Sequence, residues 1–389
     1  MNLFAPAQRK LTLLWLLQCV LFFVRGSGIW PSPILGLIVY VASTIVMIVA
    51  FFIAKEFEEA DPENFVRFLK LTAGSFAAIA LGMVNTRSSG VQSLSDDSWQ
   101  LYSRLLLPVG GYLLASWSLL GLLRVVERRP SLAILFVWNA AVMIFISNGM
   151  HVMIILSLAT LSALLLLREK WIAAYVTLFL AFGAHVPGLF VLPLYMKFHA
   201  FRLKKEKQAR TFSFIAMLYL LGVLLLTYVG GHMERGFDIF PFTLFWYTPF
   251  EVMFVLNSPI YLGVLVLAFL ACGVLAWFAQ TSGKDSLLYG LVLIYTILAA
   301  AMFPLDPTAI ILPLALATVF RSIPQLWLAF CLGLIITLTR FTLGPDSPLL
   351  LDSMVAIFLL LMIAQLRNAR RETGFFGQVE LQETEQSFG

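Results

Sequence analysis

Apolar runs long enough to cross a lipid bilayer recur along nearly the whole chain. Each holds roughly 17 to 25 residues, the length that a helix needs to span the hydrocarbon core, and short polar connections separate them. The runs lack the strict alternation of apolar and polar positions that a membrane barrel strand shows, so they predict helices. The pattern predicts about fourteen spans, near residues 11–25, 32–54, 70–85, 106–123, 131–148, 152–167, 171–184, 188–200, 211–229, 252–279, 287–303, 308–320, 324–341 and 349–365.

The composition supports the same class of protein and disfavours others. Hydrophobic residues make up 60% of the 389 residues and charged residues only 12%, a balance that a soluble core cannot absorb. The predicted fold class is all-α, a polytopic bundle of about 13–14 transmembrane helices. It forms a single transmembrane domain over residues 1–372, followed by a polar, disordered cytoplasmic tail over 373–389. The sequence has no glycine-rich nucleotide loop and no Walker motif, which disfavours an ATP-driven pump.

Two stretches have local signals of their own. The segment Lys55–Lys70, KEFEEADPENFVRFLK, predicts an amphipathic helix on the inner side that starts at Asp61-Pro62-Glu63. Its acidic residues near the start and basic residues near the end suit the helix dipole. The sequence His185-Val186-Pro187-Gly188 predicts a broken helix or a re-entrant hairpin within residues 171–200.

The positive charge is unevenly shared between the two sides of the predicted bundle. With a cytoplasmic amino terminus, the inner connections hold 21 of the 26 Lys and Arg residues, including the clusters Arg124–Arg129, Lys197–Arg210 and Arg367–Arg371. The outer five are Arg25, Arg87, Arg104, Arg235 and Arg340. This bias predicts that both termini are cytoplasmic. The basic inner connections indicate contact with anionic membrane lipids rather than with nucleic acid.

The most polar connection predicted on the outer side is Asn85–Arg104, which contains the adjacent pair Asp96 and Asp97. In a helix that begins near Ser95, Asp97, Gln100 and Arg104 share one face because they follow the spacing i, i+3, i+7. Two interpretations stay open. The aspartates cap the positive start of a helix, or one of them is a general base next to a lipid-accessible groove.

The remaining candidates for binding lie near the outer ends of other spans. A cationic side chain is needed beside an anionic lipid-phosphate leaving group, and Arg340 is the first choice, followed by Arg104, Arg235 and His185. The alternative for these arginines is an interfacial position with the charge directed to the headgroups. His232 lies in the aromatic connection Gly230–Glu251, whose rings either stack on a sugar or form an interfacial belt.

No metal or other cofactor is predicted. The outer histidines lack the helical ligand pair that a metal site prefers, although a divalent metal held by His151 and His232 with aspartates is an alternative.

The stretch Ser147–Tyr195 has a recognisable order of elements. An outer Asn-Gly turn is followed by a leucine-rich span, an inner Arg-Glu-Lys turn before Trp171, a further span, His-Val-Pro-Gly and Leu192-Pro193-Leu194. This order resembles the central segment of the integral-membrane glycosyltransferases of the type C superfamily, in their mannosyltransferase-like branch. The resemblance covers roughly residues 70–200, with a weaker echo at Phe303–Pro307. In this chain the acidic loop follows the third span rather than the first, and His185 stands where that superfamily usually has lysine.

The resemblance implies a donor of the polyprenyl-phosphate sugar type, a lipid- or protein-linked acceptor, and an outer acidic residue, Asp96 or Asp97, as base. It also implies a multi-pass protein of the bacterial inner (cell) membrane that works on the cell envelope. Three other functions remain open: a polysaccharide polymerase or ligase, a secondary transporter, and a non-catalytic subunit of an envelope assembly. The interrupted helix at Pro187 favours transport, whereas the scarcity of charged residues at mid-membrane positions disfavours it.

Overall fold

The structure is a computed structural model that describes residues 6–26, 33–88, 98–147, 152–182, 191–203, 259–279, 283–302 and 311–319, together with residue 367. Within these ranges the chain is helical and contains no strand, which confirms the predicted all-α class. The helices are α1 (Pro6–Gly26), α2 (Pro33–Ala60), α3 (Pro62–Ser88), α4 (Ser98–Val125), a 3-10 turn (Pro130–Ala133), α5 (Ile134–Val137), α6 (Ala140–Ser147), α7 (Val152–Leu167), α8 (Trp171–Phe182), α9 (Leu192–Leu203), α10 (Pro259–Phe278), α11 (Lys284–Met302) and α12 (Ile311–Ala317).

Four helices in the described part of the chain are long and apolar enough to cross a membrane. Their candidate spans are Pro6–Val24, Ile38–Ala60, Pro62–Gly82 and Leu106–Val125. On α2 the exposed large side chains recur every three or four residues, at Ile38, Val41, Ile45, Val49 and Phe52. This spacing forms one apolar stripe along the helix, which suits a surface in contact with lipid. These helices support a membrane protein, while the total number of spans and the side of each terminus stay predictions.

The chain divides into two compact units. Described residues up to Leu164 belong to the first unit, and described residues from Leu165 to Val319 belong to the second. The prediction of one transmembrane domain over 1–372 is not tested by this division, and the predicted tail over 373–389 lies outside the described residues.

In the first unit, α2 and α3 form a hairpin whose turn is the single residue Asp61. The Phe57 ring packs edge-on against the Phe65 ring, with the centroids 5.6 Å apart. Helix α1 runs parallel to α3, since Trp15 contacts Phe68 and Phe22 contacts Phe76, with ring centroids 6.2 and 4.9 Å apart. The first turns of α1 and α3 therefore lie at the same end of the unit.

The helix start predicted at Asp61-Pro62-Glu63 is confirmed, but the separate amphipathic helix predicted over Lys55–Lys70 is wrong. Residues up to Ala60 continue α2, and the next residues open α3, which runs on into its span. The Asp61 N–H donates to the Phe57 carbonyl and the Asp61 carbonyl accepts from the Phe65 N–H. Asp61 thus ends one long helix and starts the next, which leaves no independent helix between them.

The continuous span predicted over 131–148 is also wrong. Over this range the chain forms the 3-10 turn, the single turn α5 and the two turns of α6, with a break at Trp138-Asn139. The residues from Ser131 to Ala140 are all buried. These short pieces pack against α1, α2, α3 and α4, so they occupy the interior of the first unit.

Helices α4 and α7 end in the same way. Glu127 follows the last turn of α4 with φ 56°, and Glu169 follows the last turn of α7 with φ 61°. In both cases the next residue closes the helix, because Arg128 N–H donates to the Leu123 carbonyl at 2.7 Å and Lys170 N–H donates to the Leu165 carbonyl at 2.9 Å. This is the Schellman type of helix end, which usually has glycine at the left-handed position.

Candidate functional site

The residues predicted to form the site fall mostly outside the described part of the chain. Asp96, Asp97, His185, His232, Arg235 and Arg340 all lie in undescribed ranges, and so does the predicted break at Pro187. Gln100 and Arg104 lie on the first two turns of α4. Because they are four residues apart, they share one face of that helix. Ser98, the first residue of α4, directly follows Asp97 in the sequence.

Helix α4 connects the two ends of the first unit. Its 28 residues give a length of about 40 Å, enough to cross a bilayer. The last turn of α4 leads into Glu127–Ser131, which contacts the turn between α2 and α3. The end that carries Gln100 and Arg104 is therefore far from that turn. We call the region around the α2–α3 turn and Glu127–Ser131 the charged end.

Two adjacent glutamates hold the charged end together. The exposed Glu59 accepts a hydrogen bond from the Arg129 guanidinium at 2.8 Å, and both side chains are more than half exposed to solvent. The neighbouring Glu58 is only 8% exposed, and its Oε2 accepts from the backbone N–H of Ser131 at 3.1 Å. Ser131 lies in the first turn of the 3-10 segment, whose N–H groups have no partner within that segment. Glu58 therefore fixes the start of the interior pieces to α2.

Asp61 caps α3 at the same end. Its Oδ1 accepts from the Asn64 backbone N–H at 3.1 Å, and its Oδ2 accepts from the Asn64 side-chain amide at 2.5 Å. These two hydrogen bonds, the backbone bond first, lower the pKa of the Asp61 carboxyl below its ordinary value. Asp61 is thus a structural N-cap with its charged form favoured.

The break at Trp138-Asn139 exposes backbone groups in the interior of the first unit. The Trp138 N–H still donates to the Ile134 carbonyl at 2.9 Å and the Asn139 N–H donates to the Phe136 carbonyl at 3.2 Å. The regular backbone hydrogen bonding of the helix is interrupted at these residues, between α5 and α6. A carbonyl without a partner at membrane depth costs several kcal/mol, so partners from elsewhere are required.

Side chains from the surrounding helices supply these partners. The Tyr112 hydroxyl of α4 donates to the Val137 carbonyl at 2.8 Å, and the Gln18 amide of α1 donates to the Trp138 carbonyl at 2.9 Å. The indole N–H of Trp138 donates to the Thr72 hydroxyl of α3 at 3.2 Å. Three helices therefore bind the same break through hydrogen bonds, and the break is a fixed feature of the unit.

The groups around the break are suited to structure rather than to proton transfer. Gln18, Thr72 and Tyr112 are uncharged at neutral pH and already donate or accept within the protein. A general acid or base needs a group whose pKa lies near the working pH. This cluster stabilises the interrupted helix.

The second unit has an aromatic cluster in its interior. The imidazole of His199 is fully buried, with its Nδ1 3.5 Å from the Tyr175 hydroxyl. Its ring lies 5.4 Å from the Trp171 ring, and the Tyr175 ring lies 6.2 Å from the Tyr195 ring. The distance of 3.5 Å exceeds that of a strong hydrogen bond.

Within the part of the chain that the structure describes, no three His, Cys, Asp or Glu residues are arranged to hold a metal ion. The prediction that no metal is bound remains untested, because His151, His232 and the aspartates named with them lie outside the described ranges.

Sequence reasoning missed the residues that hold the interior of the first unit. Asn139 is a polar residue in the middle of an apolar run, and Gln18 is another, and these are the signals that could have found the break. Glu58 gave no signal, because nothing in the acidic run around it distinguishes the buried carboxylate from its exposed neighbours.

No protein-family model, no curated protein and no solved structure matches this chain. The resemblance to the type C glycosyltransferases thus stays a prediction that depends on the residues quoted for it.

Proposed function

We propose that the protein is a membrane glycosyltransferase that moves a sugar from a polyprenyl-phosphate donor to an acceptor at the extracytoplasmic face. The acceptor is a lipid- or protein-linked hydroxyl, and the chain works in the bacterial inner membrane. Asp96 or Asp97 is the general base in this proposal, and Arg104 and Gln100 lie on the helix that follows it.

The observation that carries the proposal is the course of α4. One end of this helix leads into the basic residues Arg128 and Arg129 at the charged end. Its other end begins at Ser98, directly after Asp97 in the sequence, and carries Gln100 and Arg104. If the basic end is cytoplasmic, as the distribution of Lys and Arg predicts, the aspartates belong to the extracytoplasmic side. A carboxylate and a guanidinium on that side are the groups that the reaction needs.

The reaction is a displacement at the anomeric carbon of the donor sugar. The aspartate takes the proton of the acceptor hydroxyl as its oxygen forms the new bond to the anomeric carbon. The bond between that carbon and the phosphate oxygen breaks, and polyprenyl phosphate leaves with the electron pair. A cationic side chain beside the phosphate stabilises the charge that develops on it. Arg340 is the first candidate for this role, followed by Arg104, Arg235 and His185. His232 and Gln100 are further candidates for substrate binding.

The test is transfer of labelled sugar from a polyprenyl-phosphate sugar by the purified protein. We expect Asp96→Asn or Asp97→Asn to lower turnover by about a hundredfold or more, because asparagine cannot accept the acceptor proton. Asp61→Asn is the matched control, since it removes an aspartate at the charged end and keeps an N-cap side chain. Turnover within about twofold of wild type in both outer variants would rule out the base.

A second candidate function is secondary transport, which the break at Trp138-Asn139 favours. Transporters bind their substrates at discontinuous helices in the membrane interior, and α5 and α6 are such a helix. Against transport, the groups at the break are uncharged and already bonded to one another. Accumulation of a solute in proteoliposomes under an ion gradient, lost in Gln18→Ala, would support this alternative.

A further inference from the structure

Helix α4 contains a weak point ten residues after its start. Pro108 lies inside the helix and has no N–H to donate to the Arg104 carbonyl four residues earlier. Its ring also crowds that carbonyl, so a proline at such a position bends a helix. Gly110 and Gly111 follow within one turn, and glycine is the residue that resists changes of backbone angle least.

The packing of α4 changes at the same place. Leu106 and Leu107, just before Pro108, have 53% and 39% of their surface exposed. After Pro108, Val109 is only 4% exposed and Tyr112 is fully buried. Most residues from Val109 to Leu123 are buried, including Ser116, which donates to the Tyr112 carbonyl at 2.8 Å. The later turns are therefore fixed in the first unit, whereas Leu106 and Leu107, the two residues directly before Pro108, are exposed.

The two glycines have different surroundings. A Cβ atom on Gly111 would lie 2.8 Å from the Met153 carbonyl oxygen of α7, closer than real Cβ contacts come. Gly111 therefore presses the backbone of α4 against α7 and gives the helix a fixed point. A Cβ atom on Gly110 would have nothing within 4 Å. Alanine would therefore fit at position 110 without a clash. The property that alanine would change there is the freedom of the backbone.

We propose that Pro108 and Gly110 form a hinge on which the first turns of α4, Ser98–Leu107, pivot against the part of the helix that Gly111 fixes on α7. These two are positioning residues, because they act through Gln100 and Arg104. A change of about 20° in the bend moves Ser98 by about 5 Å, given about 15 Å of helix beyond Pro108. The role in catalysis rests on the proposed transferase function. When the lipid-phosphate donor binds, the hinge bends and moves the segment after Asp97 towards it. After the transfer the helix returns to its first position and the product is released.

The hinge is tested directly by distances between pairs of spin labels, with Cys19, Cys272 and Cys331 replaced by alanine. Labels at Ser98 and Leu71 span the hinge, and labels at Arg124 and Leu71 report the fixed part of α4 as the reference pair. We expect a broad distance distribution for the first pair that shifts by about 5 Å on addition of polyprenyl phosphate. In Pro108→Ala the distribution of Ser98–Leu71 distances should be narrow and should not shift on addition of polyprenyl phosphate. The distribution for the Arg124–Leu71 reference pair should be narrow in both proteins.

Turnover gives the second test. Pro108→Ala and Gly110→Ala should lower kcat by about tenfold with KM for the donor changed by less than about twofold, and both should melt no lower than wild type. Gly74→Ala is the matched control, since Gly74 also lies inside a helix and has nothing within 4 Å of a built Cβ. It should keep wild-type turnover and leave the Ser98–Leu71 distances unchanged.

A narrow, unresponsive Ser98–Leu71 distance in the wild type overturns the hinge, and so does wild-type turnover in Pro108→Ala. If the purified protein transfers no sugar, the proposed function fails and the distance measurement alone decides the hinge. A broad wild-type distribution that narrows in Pro108→Ala then supports the hinge without the transferase.

Discussion

The contacts of the charged end can be compared with the sequence around the other end of α4. At the charged end, three carboxylates have local structural roles, since Glu58 binds the Ser131 N–H, Glu59 pairs with Arg129, and Asp61 caps α3. At the other end of α4, the few charged residues, Asp96, Asp97 and Arg104, are concentrated within nine positions. The charged end shows that helix ends alone can account for many acidic residues. Activity measurements must therefore compare aspartates from both ends before a catalytic role is assigned.

The sharpest contrast within the charged end is between Glu58 and Glu59. We expect Glu58→Ala to lower the free energy of unfolding by about 1–3 kcal/mol, because it leaves the buried Ser131 N–H without its acceptor. Glu59→Ala removes an exposed ion pair and should cost less than about 1 kcal/mol. Thermal unfolding of both variants in the same detergent measures the difference. Equal losses would mean that the Glu58 contact is no stronger than a surface ion pair.

Glu127 tests whether the charged end tolerates a strained residue. Glu127→Gly should raise the free energy of unfolding by a few tenths to about 1 kcal/mol, because glycine adopts the left-handed conformation without steric cost. Glu56→Gly is the control with the opposite sign, since it places glycine at an exposed position inside the right-handed helix α2 and should destabilise by about 1 kcal/mol. Both are read from thermal unfolding. A loss of stability in Glu127→Gly would show that its side chain contributes more than its backbone strain costs.

Asp61 gives the smallest expected effect and a pH signature. Its folded pKa is lowered, so its contribution to stability is present above the unfolded pKa and is lost as the pH falls through the folded pKa. The difference in melting temperature between wild type and Asp61→Asn should therefore be constant at neutral pH and shrink below about pH 4. A difference that stays the same down to about pH 3 would mean that the ionised carboxylate is no better a cap than the amide.

Much of the fold follows from local patterns in the sequence. The predicted spans 11–25, 70–85 and 106–123 fall within α1, α3 and α4, and the predicted span 32–54 begins one residue before α2. The start of α3 is recognisable from Asp61-Pro62-Glu63. The predicted helix over Lys55–Lys70 failed because one residue, Asp61, both ends α2 and starts α3. Such a tight turn leaves no room for a separate element.

The interior break could not be predicted from its own neighbourhood. The run around Trp138 is apolar on both sides, and its hydrophobic pattern fits one continuous span. The partners that make the break stable, Gln18, Thr72 and Tyr112, come from positions 25 to 120 residues away in the sequence. Of the candidate site, Gln100 and Arg104 lie on one helix, α4, as predicted. The predicted helix start near Ser95 and the position of Asp97 lie outside the described residues. How the other candidates come together depends on contacts between distant spans.

The interrupted segment Pro130–Ser147 also constrains the order in which the protein is made. The ribosome releases it after α1 to α4, and the carbonyls at its break would face lipid without a hydrogen-bond partner if it entered the bilayer alone. Among the described residues, Gln18 of α1 and Tyr112 of α4 donate to the carbonyls at the break. We therefore expect the segment to enter the bilayer between helices that have already assembled.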